Sequence, residues 1–319
     1  MPDTPAPAGC PLETGYRVAG RLGVDPSRIR DMTILSGRHG HCLWRVVTTG
    51  GSYVLKWFPP GDPGAIETAA YPLLQELGVP TLPVYGLAQD AMLLEDLAAS
   101  ADWRLAGEGD VLDPAVGRAL ARWYRAFHHQ GAQVLARPGG PPDFLGREVD
   151  CLDPASLRAA GRRLGLEAQP GWRLASQHIE DLKAAMRALP ETLNYNDFYW
   201  TNLALSRAPT SEPRAIMFDY HLLGIGPRYS DCRNVAGSLA GEAVAAFWQA
   251  YGPVDPREEV LDRPASTLVG LVTAAQRERF PRWAQASLEH VRDGGLERDL
   301  RAALELARGR GVDLGNSER

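Results

Sequence analysis

The chain of 319 residues is long enough for roughly two domains. With 45% hydrophobic and 23% charged residues, it has the composition of an ordinary soluble globular enzyme. Its formal net charge is −5 and no run of Lys and Arg could track a phosphate backbone, which argues against a nucleic-acid partner. The first residues carry neither a basic n-region nor an apolar h-region, and no window approaches ~18 uninterrupted apolar residues. The expectation is a cytoplasmic chain with no membrane partner. Four scattered cysteines (Cys10, Cys42, Cys151 and Cys232), with no C-x-x-C, predict reduced, unpaired thiols.

The Pro-rich residues 1–12 are expected to be disordered, and a helix is expected from Leu12 to Leu22. Asp25-Pro26-Ser27 marks a turn or a helix start. The runs Met32–Val47 and Ser52–Phe58 read as strands facing each other across Thr49-Gly50-Gly51. Ser36-Gly37-Arg38-His39-Gly40 interrupts the first. Gly37 and Gly40 would let the backbone lie close over phosphate oxygens, and an ordinary hairpin turn is the competing account. Neither a P-loop nor a Rossmann fingerprint occurs. Lys56, in V-L-K-W-F, suits either nucleotide phosphates or an exposed sheet edge. A helix from Ala65 to Leu77, which Pro72 must kink or shift, carries Glu67 in its first turn. There Glu67 could hold Lys56 by an ion pair or merely complement the helix dipole.

Two more strands follow Gly78-Val79-Pro80, the second running from Ala91 to Leu97 into a link between lobes. Backbone groups around Glu95, Asp96 and Leu97 would face an adenine ring. From Asp113, an N-cap followed by Pro114, the pattern is helical, with Val116, Leu120, Trp123, Tyr124 and Phe127 along one stripe. His128 and His129 are expected to close that helix. Further helices are expected over Pro154–Leu164, Trp172–Leu189, Asp231–Gly252, Thr267–Arg292 and Leu296–Arg308, with a strand over Ala215–Tyr220.

The chemistry concentrates in N-Y-N-D-F-Y-W-T-N, from Asn194 to Asn202. It holds Asp197 and Asn202 in a D-x-x-x-x-N pattern. Phosphoryl transfer of the kinase type needs such a pair: a carboxylate to accept the proton of the attacking hydroxyl, and an amide oxygen for magnesium. I-M-F-D follows, with Asp219 placed as a metal-binding acid at a strand end.

Taken in order, these fragments resemble the aminoglycoside phosphotransferase and choline kinase superfamily over roughly Ile34 to Gly252. The quoted motifs are the glycine-bearing hairpin, the strand lysine, the helix glutamate before Gly78-Val79-Pro80, L-E-D-L, A-L-A-R-W-Y-R-A-F-H, D-x-x-x-x-N and I-M-F-D with Gly226 and Asp231 beyond it. The resemblance implies an α+β, two-lobed, protein-kinase-like fold. A small antiparallel-sheet N-lobe would span residues 13–98, and a larger, mainly helical C-lobe residues 99–319.

It further implies an ATP- or GTP-dependent, Mg2+-dependent kinase acting on a hydroxyl of a small molecule, as a monomer or homodimer. Lys56, oriented by Glu67, would contact the α/β-phosphates, with Gly37, Gly40, Glu95 and Leu97 also at the nucleotide. Asp197 would be the catalytic base, and Asn202 and Asp219 the metal ligands. Gly226 and Asp231 would shape the loop after the metal acid. The alternative is a nucleotide-binding pseudokinase or regulatory module.

Three positions depart from the family pattern. Tyr195-Asn196 stand where His-Gly is usual, and the histidine there mainly supports the metal-acid loop, so tyrosine could serve. His221 replaces a residue that is often acidic. The S-G-R-H-G-H loop is bulky, so that Arg38, His39 or His41 could add phosphate contacts. The acids Glu242, Glu258, Glu259, Asp262 and Glu289 are matched by arginines and read mostly as solvated helix faces, so they select no acceptor. Tyr199, Trp200, Tyr220 and Trp248 are the aromatics that could frame one.

Overall fold

The structure, a computed structural model, describes residues 10–37, 41–207 and 212–309. In chain order these form α1 (Leu12–Arg21), β1 (Ile29–Ser36), β2 (Cys42–Thr48), β3 (Ser52–Trp57), α2 (Ile66–Glu76), β4 (Val84–Ala88) and β5 (Ala91–Glu95). Next come β6 (Trp103–Leu105), α3 (Pro114–Leu135), α4 (Pro154–Leu164), α5 (Pro170–Arg187), β7 (Thr192–Asn194), β8 (Leu203–Ser206), β9 (Ala215–Met217) and β10 (Gly224–Gly226). The rest is helical: α6 (Arg228–Ser238), α7 (Glu242–Tyr251), α8 (Pro256–Ala275), α9 (Gln285–Arg292) and α10 (Gly295–Ala307). The architecture is α+β, and the chain divides into two compact units.

The first unit comprises residues up to Gln130, Tyr195–Leu223 and Asn234–Gly252. Its main sheet is antiparallel throughout, in the order β1-β2-β3-β5-β4. Alternation along β2 sends Trp44 and Val46 into a core with Met32, Leu55 and Leu93, and Val18 and Ala19 of α1 close that core. β3 lies mid-sheet, with Lys56 registered against Leu43 on one side and Met92 on the other. The expectation of unpaired thiols fails at the edge of this core, where Cys10 is joined to Cys42 in a disulfide. The wide sequence separation hid a pair that the fold of α1 onto the sheet brings together. Cys151 and Cys232 remain thiols.

α2 continues past Pro72 as one helix. α3 begins as expected, with Asp113 Oδ1 accepting the Ala115 N–H at 2.8 Å, and its five-residue apolar stripe is buried. It does not end at His129 but continues to Leu135. Gly131 lies inside the helix at a close approach, where a Cβ would meet Thr192 Oγ1 at 2.5 Å and the Leu193 nitrogen at 2.6 Å. His128 is therefore mid-helix and buried, hydrogen-bonded through Nδ1 to Tyr251 Oη at 2.7 Å.

A second small sheet, β6-β8-β9, matters for the site. Its β8–β9 hairpin has Asn202 at one root and Phe218-Asp219 at the other, tied by the Phe218 N–H to the Asn202 carbonyl at 3.2 Å.

The second unit comprises Gly131–Asn194, Gly224–Arg233 and the residues from Pro253 onward. Its core joins Leu157, Leu166, Trp172, Ile179, Leu268, Leu271, Leu296 and Leu300 from α4, α5, α8 and α10. Two acids expected on solvated faces are instead buried here. Glu258 accepts the Tyr229 N–H at 2.8 Å and pairs with Arg228, while Asp262 accepts from Ser230 Oγ at 2.9 Å and Arg233 Nε at 2.6 Å. Their charges are matched within the fold. Among the described residues no helix is long and apolar enough to cross a membrane.

Candidate active site

Lys56 is 7% exposed, and its ammonium is held by two acids. Nζ donates to Glu67 Oε2 at 2.5 Å and to Asp219 Oδ1 at 2.8 Å. The edge-lysine and dipole accounts of Lys56 and Glu67 thus give way to an ion pair. Glu67, 1% exposed, faces the sheet from the first turn of α2. Burial works against the lysine's charge, but the two carboxylates outweigh it, so its pKa is raised and it stays protonated.

The Asn194–Asn202 stretch is shaped by its first three residues. Asn194, at the end of β7, donates to the Pro227 carbonyl at 3.1 Å and to the buried Asp231 at 3.4 Å. A Cβ on Gly226 would meet Asn194 Oδ1 at 2.3 Å, so a side chain there would have to displace the Asn194 amide. Tyr195 is fully buried, and its hydroxyl donates to the Phe218 carbonyl at 2.5 Å. That bond ties the phenol to the backbone just before Asp219. Asn196 has φ of 65° and Asp219 φ of 66°, the left-handed region that costs a non-glycine residue about 1–2 kcal/mol. Asn196 is steadied by its Nδ2 donating to the Leu222 carbonyl at 3.0 Å.

These turns bring Asp197, Asn202, Asp219 and His221 together. Asn202 Nδ2 donates to Asp197 Oδ2 at 3.0 Å and to the Asp197 carbonyl at 3.1 Å, which leaves the amide oxygen as the atom available to a cation. His221 Nδ1 lies 2.9 Å from Asp219 Oδ1 and 3.9 Å from Asp197 Oδ2. Burial would raise the pKa of Asp219, but the His221 hydrogen bond and the Lys56 charge prevail and hold it well below the ordinary carboxylate range. Burial, with the neighbouring Asp219, raises that of Asp197 against the pull of His221. Ligand atoms of Asp197, Asp219 and His221 all lie within 4.8 Å of one another. Two carboxylates and an amide oxygen are hard donors of the kind that bind Mg2+, so the residues present fit that ion.

Beside Lys56 opens a cavity of about 510 Å³. It is lined by Leu43, Val54, Leu82 and Leu94 on its apolar walls and by Lys56, Glu67 and Asp219 at its charged end. Glu95 and Leu97 line it too, so five of the nine sequence-derived site residues line one cavity: Lys56, Glu67, Glu95, Leu97 and Asp219. Asp197 has a carboxylate oxygen within 4.8 Å of one on Asp219, and Asn202 is hydrogen-bonded to Asp197. Gly37 follows β1, and Gly40, like Arg38 and His39, lies outside the described residues. His41 pairs with Asp62 at 2.8 Å. Of the aromatics, Tyr220 is fully buried, its hydroxyl bonded to the Met217 carbonyl, whereas Tyr199 is 51% exposed.

Sequence reasoning missed Arg207. Its guanidinium lines the same cavity, donating to the Ser100 carbonyl at 3.0 Å and the Trp103 carbonyl at 2.9 Å. Partners about a hundred positions away leave no local pattern to read.

An antiparallel sheet with a buried mid-sheet lysine paired to a helix glutamate, and a D-x-x-x-x-N loop beside a second acid, define the protein-kinase-like class of phosphotransferase. The model of the phosphotransferase enzyme family matches residues 32–263, more than half of the chain, and the chain belongs to that family. No curated protein matches the sequence.

Among solved structures, the choline kinase LicA from Streptococcus pneumoniae is similar at 12% identity, covering 90% of this chain and 98% of that one, with a TM-score of 0.61. A macrolide 2'-phosphotransferase from Brachybacterium faecium is similar at 18% identity over 88% and 97%, with a TM-score of 0.53. A spectinomycin phosphotransferase in complex with ADP and spectinomycin is similar at 11% over 92% and 98%, with a TM-score of 0.51. At such identities the likeness establishes the fold.

Proposed function

We propose that this protein transfers the γ-phosphoryl group of ATP, with magnesium, to a hydroxyl of a small molecule. The observation that carries this is Lys56 held between Glu67 and Asp219 at the charged end of a cavity, with Asp197 and Asn202 hydrogen-bonded to each other alongside. The apolar walls suit a purine ring, and the link at Glu95–Leu97 offers backbone groups to its edge. ADP in one structural relative favours an adenine nucleotide. In this reading residues 13–98 bind the nucleotide, Gly37 and Gly40 cover its phosphates, and residues 99–319 carry the catalytic and metal loops.

The phosphoryl transition state is loose, so the protein's work is positioning and charge neutralisation. Lys56 leaves Asp219 for the α/β-phosphates while Glu67 keeps its carbon chain in place. Asn202 through its amide oxygen and Asp219 through its carboxylate would hold magnesium, which when bound neutralises charge on the phosphate oxygens. Asp197 aligns the acceptor hydroxyl and takes its proton. Tyr199, exposed in the same loop, offers the acceptor an aromatic surface. A nucleotide-binding module without turnover would need one of these groups out of reach, yet each lies within hydrogen-bonding distance of another. The test is ADP release from Mg-ATP with pooled aminoglycosides, peptide antibiotics, amino alcohols, sugars and nucleosides, with Asp197→Ala as the blank. A signal above the blank is expected. A folded, nucleotide-binding protein that stays silent would favour the module.

A further inference from the structure

We infer that His221 is a further ligand of the metal ion at this site, its imidazole nitrogen extending the ions accepted from Mg2+ to first-row transition ions such as Mn2+. The inference rests on the phosphotransferase reading of Asn202 and Asp219 and extends it to a residue that reading does not use. Ligand atoms about 2.0–2.2 Å from one ion lie about 3 Å apart when adjacent and a little over 4 Å apart when opposite. His221 Nδ1 stands at 2.9 Å from Asp219 Oδ1 and 3.9 Å from Asp197 Oδ2, within that range. All three side chains keep some exposure, 32% for His221 and Asp219 and 22% for Asp197, so an ion can reach them.

The chemistry of the donor set follows from an imidazole standing beside two carboxylates. Mg2+ prefers oxygen ligands in near-octahedral geometry and gives up its waters reluctantly. A neutral imidazole adds a borderline nitrogen donor that favours first-row transition ions. With its one proton on Nε2, the neutral imidazole would present the Nδ1 lone pair to the ion. The Asp219 oxygen that now accepts from both His221 and Lys56 then faces the cation instead. His221 thereby becomes a determinant of which ion accompanies the nucleotide.

The experiment is pulsed electron paramagnetic resonance of the full chain with Mn2+ and ADP, using protein made with 15N-histidine and with natural histidine. Wild type should show modulation from a directly coordinated nitrogen whose frequency changes with the histidine isotope. In His221→Ala and His221→Asp that modulation should vanish, although His221→Asp should still bind Mn2+. The ratio of Mn2+ to Mg2+ affinity, measured by competition, should fall on the order of tenfold or more in His221→Asp. Bound Mn2+ with no histidine coupling in wild type would overturn the inference and leave the phosphotransferase reading standing. A Mn2+–ADP spectrum that the protein leaves unchanged would overturn both.

Discussion

Replacing Tyr195 by Phe removes one oxygen atom from the wall of the site and nothing else. The ring is fully buried, so its packing persists, but the Phe218 carbonyl loses the hydroxyl that reaches it at 2.5 Å. A hydrogen bond of this kind contributes about 0.5–1.5 kcal/mol net, and a buried carbonyl left unpaired costs about 1–3 kcal/mol. The stability loss should therefore be about 1–2 kcal/mol, a fall of a few degrees in Tm for a protein of this size. Phe218 precedes Asp219, whose positive φ of 66° is held against its own preference by such bonds. If the loop relaxes by the ~1 kcal/mol stored there, kcat should fall about five- to tenfold at little change in the KM for nucleotide. Steady-state kinetics alongside thermal unfolding would measure both. An unchanged Tm with unchanged kcat would refute the supporting role of the phenol. A thousandfold loss of kcat at constant Tm would instead put the hydroxyl in the chemistry.

Asp96 is buried, and the bonds from Arg45, Ser52 and the Ala98 N–H outweigh that burial and lower its pKa. Its contribution to stability is present above the unfolded carboxylate pKa and fades as pH falls through the lower folded value. Asp96→Asn should thus lower Tm at pH 7 and converge on wild type below about pH 4, and a constant gap down to pH 3 would contradict this. Gly131→Ala places a Cβ 2.6 Å from the Leu193 nitrogen, so it should destabilise by about 1–3 kcal/mol despite alanine's helix propensity; a raised Tm would show that the contact yields. Reducing the Cys10–Cys42 disulfide, which closes a 32-residue separation, should cost about 3–4 kcal/mol, read as a lower Tm in dithiothreitol that Cys10→Ser reproduces.

Much of this molecule was legible because its elements are signalled locally. Asp113-Pro114 and Asp153-Pro154 announce their helices, and the alternating runs around Gly50-Gly51 announce the β2–β3 hairpin. D-x-x-x-x-N and I-M-F-D could be recognised because their spacing is short and their chemistry constrains residue type. What stayed hidden depends on partners distant in sequence. The short strands β6, β8 and β10 have three or four residues each, too few for a period, and are defined by their pairing. The helix expected to close at His128 and His129 runs on to Leu135, and the close approach of Gly131 to Thr192 and Leu193 along that extension leaves no local signal. The buried state of Glu258 and Asp262 follows from arginines on another helix, and the Cys10–Cys42 bond from the packing of α1 on the sheet. His221 registered as a departure from a pattern, and only the geometry gave its nitrogen two carboxylate neighbours.

The central claim is that phosphate leaves ATP for a carbon-bound hydroxyl under the control of Asp197. It is met most directly by 31P NMR of Mg-ATP incubated with the protein and the acceptor pool. The expected spectrum loses the γ-phosphate resonance and gains ADP together with a new phosphomonoester signal, neither of which appears with Asp197→Ala. Inorganic phosphate as the sole product, or a phosphomonoester formed equally well by Asp197→Ala, would contradict the account.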